Sequence, residues 1–432
     1  MGDDMQRGGP KRERYGYVIC LVIFLGYVLV FFHRLCPAVI ALDMQEAFGA
    51  SGTLLGLLGS AYFYPYAIMQ LPTGVLADSW GPRKTVSAFF LLAALGSVLM
   101  GLAPTLGVAI VGRILVGVGV STLFVCNFKL LAEWFSPRKF VVLGGIFMTM
   151  GGVGALSASA PLAWVSNVIG WRMTLVAVGL VTWIMAFFIY VVVRNRPADM
   201  ALVSDGIAKP KNPGRKTSLS SGIKLVIRSG RFWPISIWVF FGTGIAFAHG
   251  GLWGGPYLMH VYGLGKSAAG RVLSMFAVAL MVGSPFLSWI ANRFGRKPVF
   301  VSCSLVLIAV CATFYLFTDR LPLPLLYGLF FCLSFAGAAV GPVTAAVAKE
   351  LFPLSIAGTS VGIVNLFPFF GAALLQLFIG IILSRGGPAE SGYSPAAYQN
   401  MFLVYLIGAV ITLSAALLLT ETLSKTERGP KR

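Results

Sequence analysis

Apolar runs of about twenty residues recur along the whole chain, separated by short polar or glycine-containing breaks. At about 1.5 Å of rise per residue, a helix of that length crosses the hydrocarbon core of a bilayer. Twelve runs reach it: 15–38, 52–76, 85–103, 106–130, 140–166, 172–193, 232–257, 267–290, 298–317, 322–348, 355–383 and 399–419. Several exceed what the hydrocarbon needs, which predicts tilt or extension beyond it. The first run follows Lys11, Arg12 and Arg14, as a signal peptide would. It is too long for such a segment and eleven more runs follow, so it reads as helix 1. Backbone groups in lipid must be satisfied within the chain, and helices do this segment by segment. The pattern therefore predicts an all-α integral membrane protein with 12 transmembrane helices.

Charge then orients the spans. The chain is 57% hydrophobic and only 11% charged, against roughly 25% in an average soluble domain. That excludes a soluble enzyme of this length, a disordered protein and a collagen-like fibre. A net charge of +19 raises the question of nucleic acid. A nucleic-acid binder clusters its bases on a wet face, whereas here they lie between apolar runs. With the N-terminus placed in the cytoplasm, twenty-five of the 33 bases fall on inner segments and five on outer ones. Arg34, Arg113 and Lys129 remain inside spans. This bias predicts a multi-pass protein of the cell inner (plasma) membrane with both termini cytoplasmic.

The one long polar stretch, 195–231, contains Pro197, Pro210, Pro213, Gly214 and a serine run near Ser218, and it reads as a linker. It divides the chain into 1–194, an N-terminal six-helix bundle, and 232–432, a C-terminal six-helix bundle. The halves echo one another. Gly81-Pro82-Arg83-Lys84 follows span 2 and Gly295-Arg296-Lys297 follows span 8. The pairs Gly49 and Gly263, Gly81 and Gly295, and Gly144 and Gly358 share one separation in sequence. Ala132-Glu133-Trp134-Phe135-Ser136-Pro137 closes span 4, and Lys349-Glu350-Leu351-Phe352-Pro353 closes span 10. Such weak internal symmetry marks a duplicated, pseudo-symmetric carrier.

The stretch from Gly74 reads GVLADSWGPRK. It resembles the G-x-L-(A/S)-D-x-x-G-(R/K)-(R/K) loop of the major facilitator superfamily, and it lies where that family has it, between spans 2 and 3. Physically, Gly74 allows close helix packing, Asp78 can pair with Arg83 or accept backbone bonds, Gly81 turns the chain, and Arg83 and Lys84 hold the loop to the inner face. The resemblance implies a cytoplasmic latch that breaks when the carrier opens inward. The segment from Arg113 to Gly119 resembles the family's R-x-x-x-G-x-G stretch, which adds Arg113 to the gating set. Outward snorkelling is the other reading of Arg113. Glu133, at the inner end of span 4, joins the set as the partner expected for Lys129 at i+4. In the second copy Ser288 replaces the leading glycine and Asn292 the aspartate. The second latch is therefore expected to be weaker or absent. The glycines of span 5, Gly144 to Gly154, read as packing glycines.

Charge inside the membrane needs a partner or a task. Near mid-span lie His33 and Arg34 on helix 1 and His249 on helix 7, and no Asp or Glu. Such a cavity attracts anions. Phe31-Phe32-His33-Arg34-Leu35-Cys36-Pro37-Ala38 and His249-Gly250-Gly251-Leu252-Trp253-Gly254-Gly255-Pro256 resemble helices 1 and 7 of the sugar-phosphate permease branch and, more distantly, the organophosphate:phosphate antiporters. There the resemblance implies an arginine on each helix around a phosphate. Arg34 fits the first position and His249 stands at the second. One arginine and a histidine suit a monoanion such as a carboxylate better than a phosphate dianion. Tyr62, Tyr66 and Gln70 share one face of helix 2 at i, i+4 and i+8. They line the cavity on one reading and pack on the other. His33 points about 100° from Arg34 and reads as structural.

The function expected is secondary active transport of a small organic anion, a carboxylate or a phosphorylated metabolite, by alternating access. A proton or a counter-anion is the coupling partner, and a proton would run through a histidine. A transporter-like sensor that binds the anion without net flux is the alternative. No nucleotide motif, metal cluster, cofactor or catalytic residue is expected. The six cysteines lie in apolar runs without metal or redox spacing. The partners expected are the anion and membrane lipids, with no nucleic acid, and the protein is expected to be a monomer.

Overall fold

The structure, a computed structural model, describes residues 10–197, 219–353, 356–385, 388–389 and 392–423. Helix α1 (Pro10–Leu35) breaks at Cys36 and continues as α2 (Pro37–Phe48), so the first span extends well past the hydrocarbon. The second and third spans are α3 (Gly52–Ser79) and α4 (Pro82–Gly101). The fourth is α5 (Leu106–Val120) with α6 (Leu123–Trp134), interrupted at Ser121 and Thr122. α7 (Pro137–Ser157) begins the fifth, and α8 (Ala160–Val192) completes it and forms the sixth, bending at Gly170, whose φ is 79°.

The second half opens with the short α9 (Leu219–Arg228), inside the stretch expected to be linker. Residues 198–218 of that stretch lie outside the described residues. α10 (Phe232–Ala248), a π-helical turn over His249–Trp253, and α11 (Gly254–Tyr262) make the seventh span. α12 (Lys266–Phe294) and α13 (Arg296–Leu316) follow. The tenth span divides into α14 (Leu323–Gly337) and α15 (Gly341–Glu350), and the eleventh into α16 (Ala357–Val364) and α17 (Phe367–Arg385). A two-residue hairpin, β1 (Pro388–Ala389) against β2 (Gly392–Tyr393), leads into α18 (Pro395–Leu418).

Among the described residues, 10 helical stretches are long and apolar enough to cross a membrane. One of them, Arg138–Val192, is 55 residues long and holds two spans bent at Gly170. With α3, whose tyrosines, Gln70, Thr73 and Asp78 dilute its apolar character, the spans number twelve, in the predicted order. Large apolar side chains such as Trp164, Trp183, Phe187 and Leu418 are exposed on the outside of the bundle, as contact with lipid requires.

The helices pack into two groups. α1, α3, α4, α5, α7 and α8 form one group and α10, α12, α13, α14, α17 and α18 the other. The groups meet most extensively where α3 packs against α17 and α7 against α12, with further contacts of α8 against α12 and of α2 against the π turn and α11. The repeat read from the sequence has a conformational counterpart. Gly49 and Gly263 both end helices in left-handed conformations, with φ of 56° and 61°. Gly81 and Gly295 both start helices at positive φ, 79° and 112°. At Gly81 a side chain would also collide with Asn195.

Candidate functional site

A cavity of about 910 Å³ lies between the two groups. Its lining runs from Arg34, Tyr66 and Phe369 to Phe140 at the start of α7 and Ala348 near the end of α15. It thus reaches the face that carries the α3–α4 and α6–α7 turns, called the basic face below after Arg83, Lys84 and Arg138. At the opposite face the halves are tied together. Lys266 donates to Asp43 at 2.7 Å and to Ser166 at 3.3 Å. Gln45 donates to Tyr393 at 2.8 Å, the amide of Thr53 to Ser384 at 2.8 Å, and Asn167 to Ser267 at 3.1 Å. Gly255 packs directly on the Ala38 carbonyl and Gly56 on that of Gln376, leaving no room for a side chain at either position.

Arg34 stands at the closed end of the cavity, 2% exposed. Rings surround its guanidinium: Phe31 at 4.4 Å from the ring centroid, Tyr66 at 4.8 Å, Phe369 at 5.0 Å and Phe247 at 5.3 Å. Its Nε and Nη2 have no hydrogen-bond partner. Ring faces offset part of the desolvation cost of a cation, on the order of 2 kcal/mol each when desolvated, but they accept no strong N–H bond. No Asp or Glu is buried among the described residues.

Arg113 is as deeply buried as Arg34 and is differently satisfied. Pro37 has no N–H, so the carbonyl four residues before it, on His33, loses its helical donor. Arg113 Nη1 donates to that carbonyl at 2.6 Å and Nη2 to the Arg34 carbonyl at 3.3 Å. Its guanidinium also lies 4.7 Å from the Tyr62 ring centroid. Arg113 therefore does not snorkel outward in this conformation. It holds the α1–α2 break and, through it, the backbone of Arg34.

The other expected residues divide. Tyr66 lines the cavity. Tyr62 is behind it, fully buried and stacked on Tyr66 at 5.7 Å. Gln70 is also behind the lining, where its Oε1 accepts from Asn365 of the lining at 3.3 Å. His249 departs furthest from expectation. It is fully buried in a box of Tyr257, Phe314, Phe330, Phe402 and Tyr405, with both ring nitrogens unpartnered, and it is not part of the cavity wall. The helix 7 residues that line the cavity, Val239, Thr243 and Phe247, all precede the π turn at α-helical spacing, and His249, two residues past Phe247, lies about 200° round the helix and faces away from it. His33 bonds Thr182 at 3.0 Å within the first half.

At the basic face the pairings also differ from expectation. Lys129 donates to Asp78 at 2.6 Å and to the Ala77 carbonyl at 2.7 Å, not to Glu133. Glu133 instead lies 3.8 Å from Arg196, and its carbonyl accepts from Arg12. Arg83 donates to the Tyr190 carbonyl at 2.7 Å and stacks on that ring, so it is not the partner of Asp78. Lys84 is exposed on the first turn of α4. Gly74 meets open space rather than a packed helix in this conformation. The second copy is not weaker. Asn292 accepts from Arg296 at 2.6 Å and Glu350 supplies the missing carboxylate at 3.0 Å. Glu421 accepts from the amides of Arg296 and Lys297.

Sequence reasoning missed the rings around Arg34 and the Asp43–Lys266 tie. Phe247 and Phe369 each stand in a run of apolar residues that looks like core, and Lys266 looks like an ordinary charge at a helix start.

Comparison with known proteins fits this geometry. The family model described as Major Facilitator Superfamily matches residues 23–270 and 252–432. A D-galactonate transporter of Escherichia coli O6:H1 is 24% identical, over 94% of this chain and 97% of its own. A probable galactarate/D-glucarate transporter of Bacillus subtilis is 23% identical, over 87% and 88%. A probable sulfoacetate transporter of Cupriavidus necator is 29% identical over 40% of each chain. Among solved structures, an inward-facing bacterial homologue of the human lysosomal transporter Spinster superposes with a TM-score of 0.76 at 18% identity, covering 94% of this chain and 96% of its own. A D-xylose-proton symporter superposes with a TM-score of 0.74 at 16% identity, covering 95% and 99%.

Proposed function

The chain belongs to the major facilitator superfamily and is a membrane transporter, not an enzyme; from that premise we propose that it carries a small organic anion across the membrane by alternating access, with Arg34 binding the anionic head group. One observation carries the reading. Arg34 is a buried cation at the closed end of a large cavity, with unpartnered N–H groups and, among the described residues, no buried carboxylate to neutralise it. An uncompensated charge in such a place is costly, and an anion with two coplanar oxygens satisfies it bidentately. The relatives named for galactonate, glucarate and sulfoacetate point to acid head groups. None of them is named for a phosphate ester or as a sensor.

The halves, 1–194 and 232–432, act as the two rocking bodies and 195–231 links them. The basic face is cytoplasmic, so the conformation described is inward-open. Asp78, Gly81, Arg83 and Lys84 hold the inner end of the first half, and Gly74 and Glu133 come into contact across that end when it closes. Tyr66 contacts the bound anion. Tyr62, Gln70 and Arg113 support the site from behind it.

The test is counterflow in proteoliposomes with labelled small monocarboxylates, beside thermal melting of the purified protein. Bound anion raises the melting temperature by mass action. Arg34→Ala is expected to abolish both effects, since a truncated charge contact costs about 2–5 kcal/mol. Arg34→Lys is expected to retain weak binding. Full transport by correctly inserted Arg34→Ala protein, or stabilisation only by cations and neutral compounds, overturns the reading. Imposing a pH gradient or loading unlabelled anion distinguishes a proton from a counter-anion as the coupling partner.

A further inference from the structure

We propose that the substrate is a monoanion with an apolar, ring-sized body, and that the rings around Arg34 select it against polyhydroxylated acids. The inference rests on the anion reading above and narrows it.

The head-group end of the cavity consists of one guanidinium and aromatic walls. Phe31, Tyr66, Phe247 and Phe369 all line the cavity and all lie within 5.3 Å of Arg34 by ring centroid. The walls are braced, with Tyr66 edge-on to Phe369 at 4.5 Å and Phe247 stacked on Phe369 at 6.3 Å. A group attached to an anion held by Arg34 therefore meets ring faces first.

The lining does contain hydroxyls and an amide, and most of their protons are already engaged; among the described residues only the hydroxyls of Tyr27, Tyr66 and Ser284 are left without a hydrogen bond. Thr243 donates to the Gly337 carbonyl at 2.7 Å and Ser288 to the Ser284 carbonyl at 2.7 Å. Thr149 donates to Gly145 and Thr344 to Val340, each at 3.3 Å. Asn365 donates to Gln70 at 3.3 Å. A polyhydroxylated acid brings a hydroxyl on nearly every carbon, more than the three unengaged hydroxyls can meet. When the carrier closes and water leaves, hydroxyls that find no partner keep their full desolvation penalty. An apolar body has no such penalty and gains burial against the rings.

The probes are phenylacetate, hexanoate, gluconate and the neutral 2-phenylethanol, read by thermal shift and by competition in counterflow with the full-length protein. Phenylacetate is expected to bind at least roughly ten-fold tighter than gluconate. Phe369→Ala is expected to remove most of that preference by weakening phenylacetate and not gluconate. If that variant fails to fold, Phe247→Leu and the wild-type preference itself carry the test. Gluconate binding as tightly as phenylacetate overturns the inference and leaves the anion reading standing. Equal binding of 2-phenylethanol and phenylacetate, unaffected by Arg34→Ala, overturns the anion reading instead.

Discussion

Arg34 and Arg113 are two arginines in one apolar interior, and what their nitrogens meet separates their roles. Arg113 faces carbonyls that Pro37 and the helix break leave available, and Arg34 faces rings and a cavity. A buried carbonyl without a donor costs about 1–3 kcal/mol. Arg113→Ala is therefore expected to destabilise the protein by about that much and to weaken anion binding through Arg34. Pro37→Ala restores the N–H that His33 lacks, so the cost of Arg113→Ala is expected to fall in the Pro37→Ala background. A thermal-melting double-mutant cycle checks this, and strict additivity would remove the proposed link. At this scale the sequence was informative where charge is rare. Arg34 was legible because a cation in an apolar run demands an explanation. His249 was equally rare, but the sequence did not announce which face of helix 7 meets the cavity: Val239, Thr243 and Phe247 line it, and His249 lies about 200° round the helix from Phe247. Tyr62, Tyr66 and Gln70 were correctly placed on one face of helix 2, yet only Tyr66 reaches the cavity.

The helices themselves were legible almost throughout, because lipid requires long apolar runs and their order fixes the topology. What the runs concealed were the interruptions at Cys36, at Ser121 and Thr122, over His249–Trp253, over Ala338–Val340 and at Asn365 and Leu366. Apolar composition is the same on both sides of such breaks, so hydropathy passes over them. The loops between helices were legible as motifs but not as pairings. Asp78 has a side chain 76% exposed and holds one lysine, whereas Arg296 is largely buried between Asn292 and Glu350. An exposed pair contributes under about 1 kcal/mol. Removing a buried guanidinium that serves three acceptor atoms costs about 2 kcal/mol. Arg296→Ala is therefore expected to melt well below Asp78→Asn, with Asp78→Asn close to wild type. Melting curves of the two purified variants check this. Equal destabilisation would mean that the second copy is no stronger than the first, and a lower melting temperature for Asp78→Asn would mean that the copy with aspartate is the stronger one.

Across the whole molecule the decisive contacts are those that join the halves at one face and are missing at the other. The cavity is open at the basic face, and the opposite face is shut by Asp43–Lys266, Gln45–Tyr393, Thr53–Ser384 and tight glycine contacts. Of these, the ion pair is the one whose removal leaves the packing intact. Its side chains are 25% and 18% exposed, so it lies between a surface pair and a buried one. A contribution of about 1 kcal/mol is the appropriate scale, and it acts only in the conformation where the two halves touch. Lys266→Gln is therefore expected to shift the balance toward the opposite-open state by roughly five-fold. Spin labels at Glu46→Cys and Arg271→Cys, both exposed at that face on different halves, report the separation directly. The long-distance population is expected to grow in Lys266→Gln, and to grow similarly in Asp43→Asn, because either change removes the same pair. Combining the two should add little. An unchanged distance distribution in both variants would show that the glycine contacts alone keep the face closed, and would reduce Asp43–Lys266 to a surface ornament of that closure.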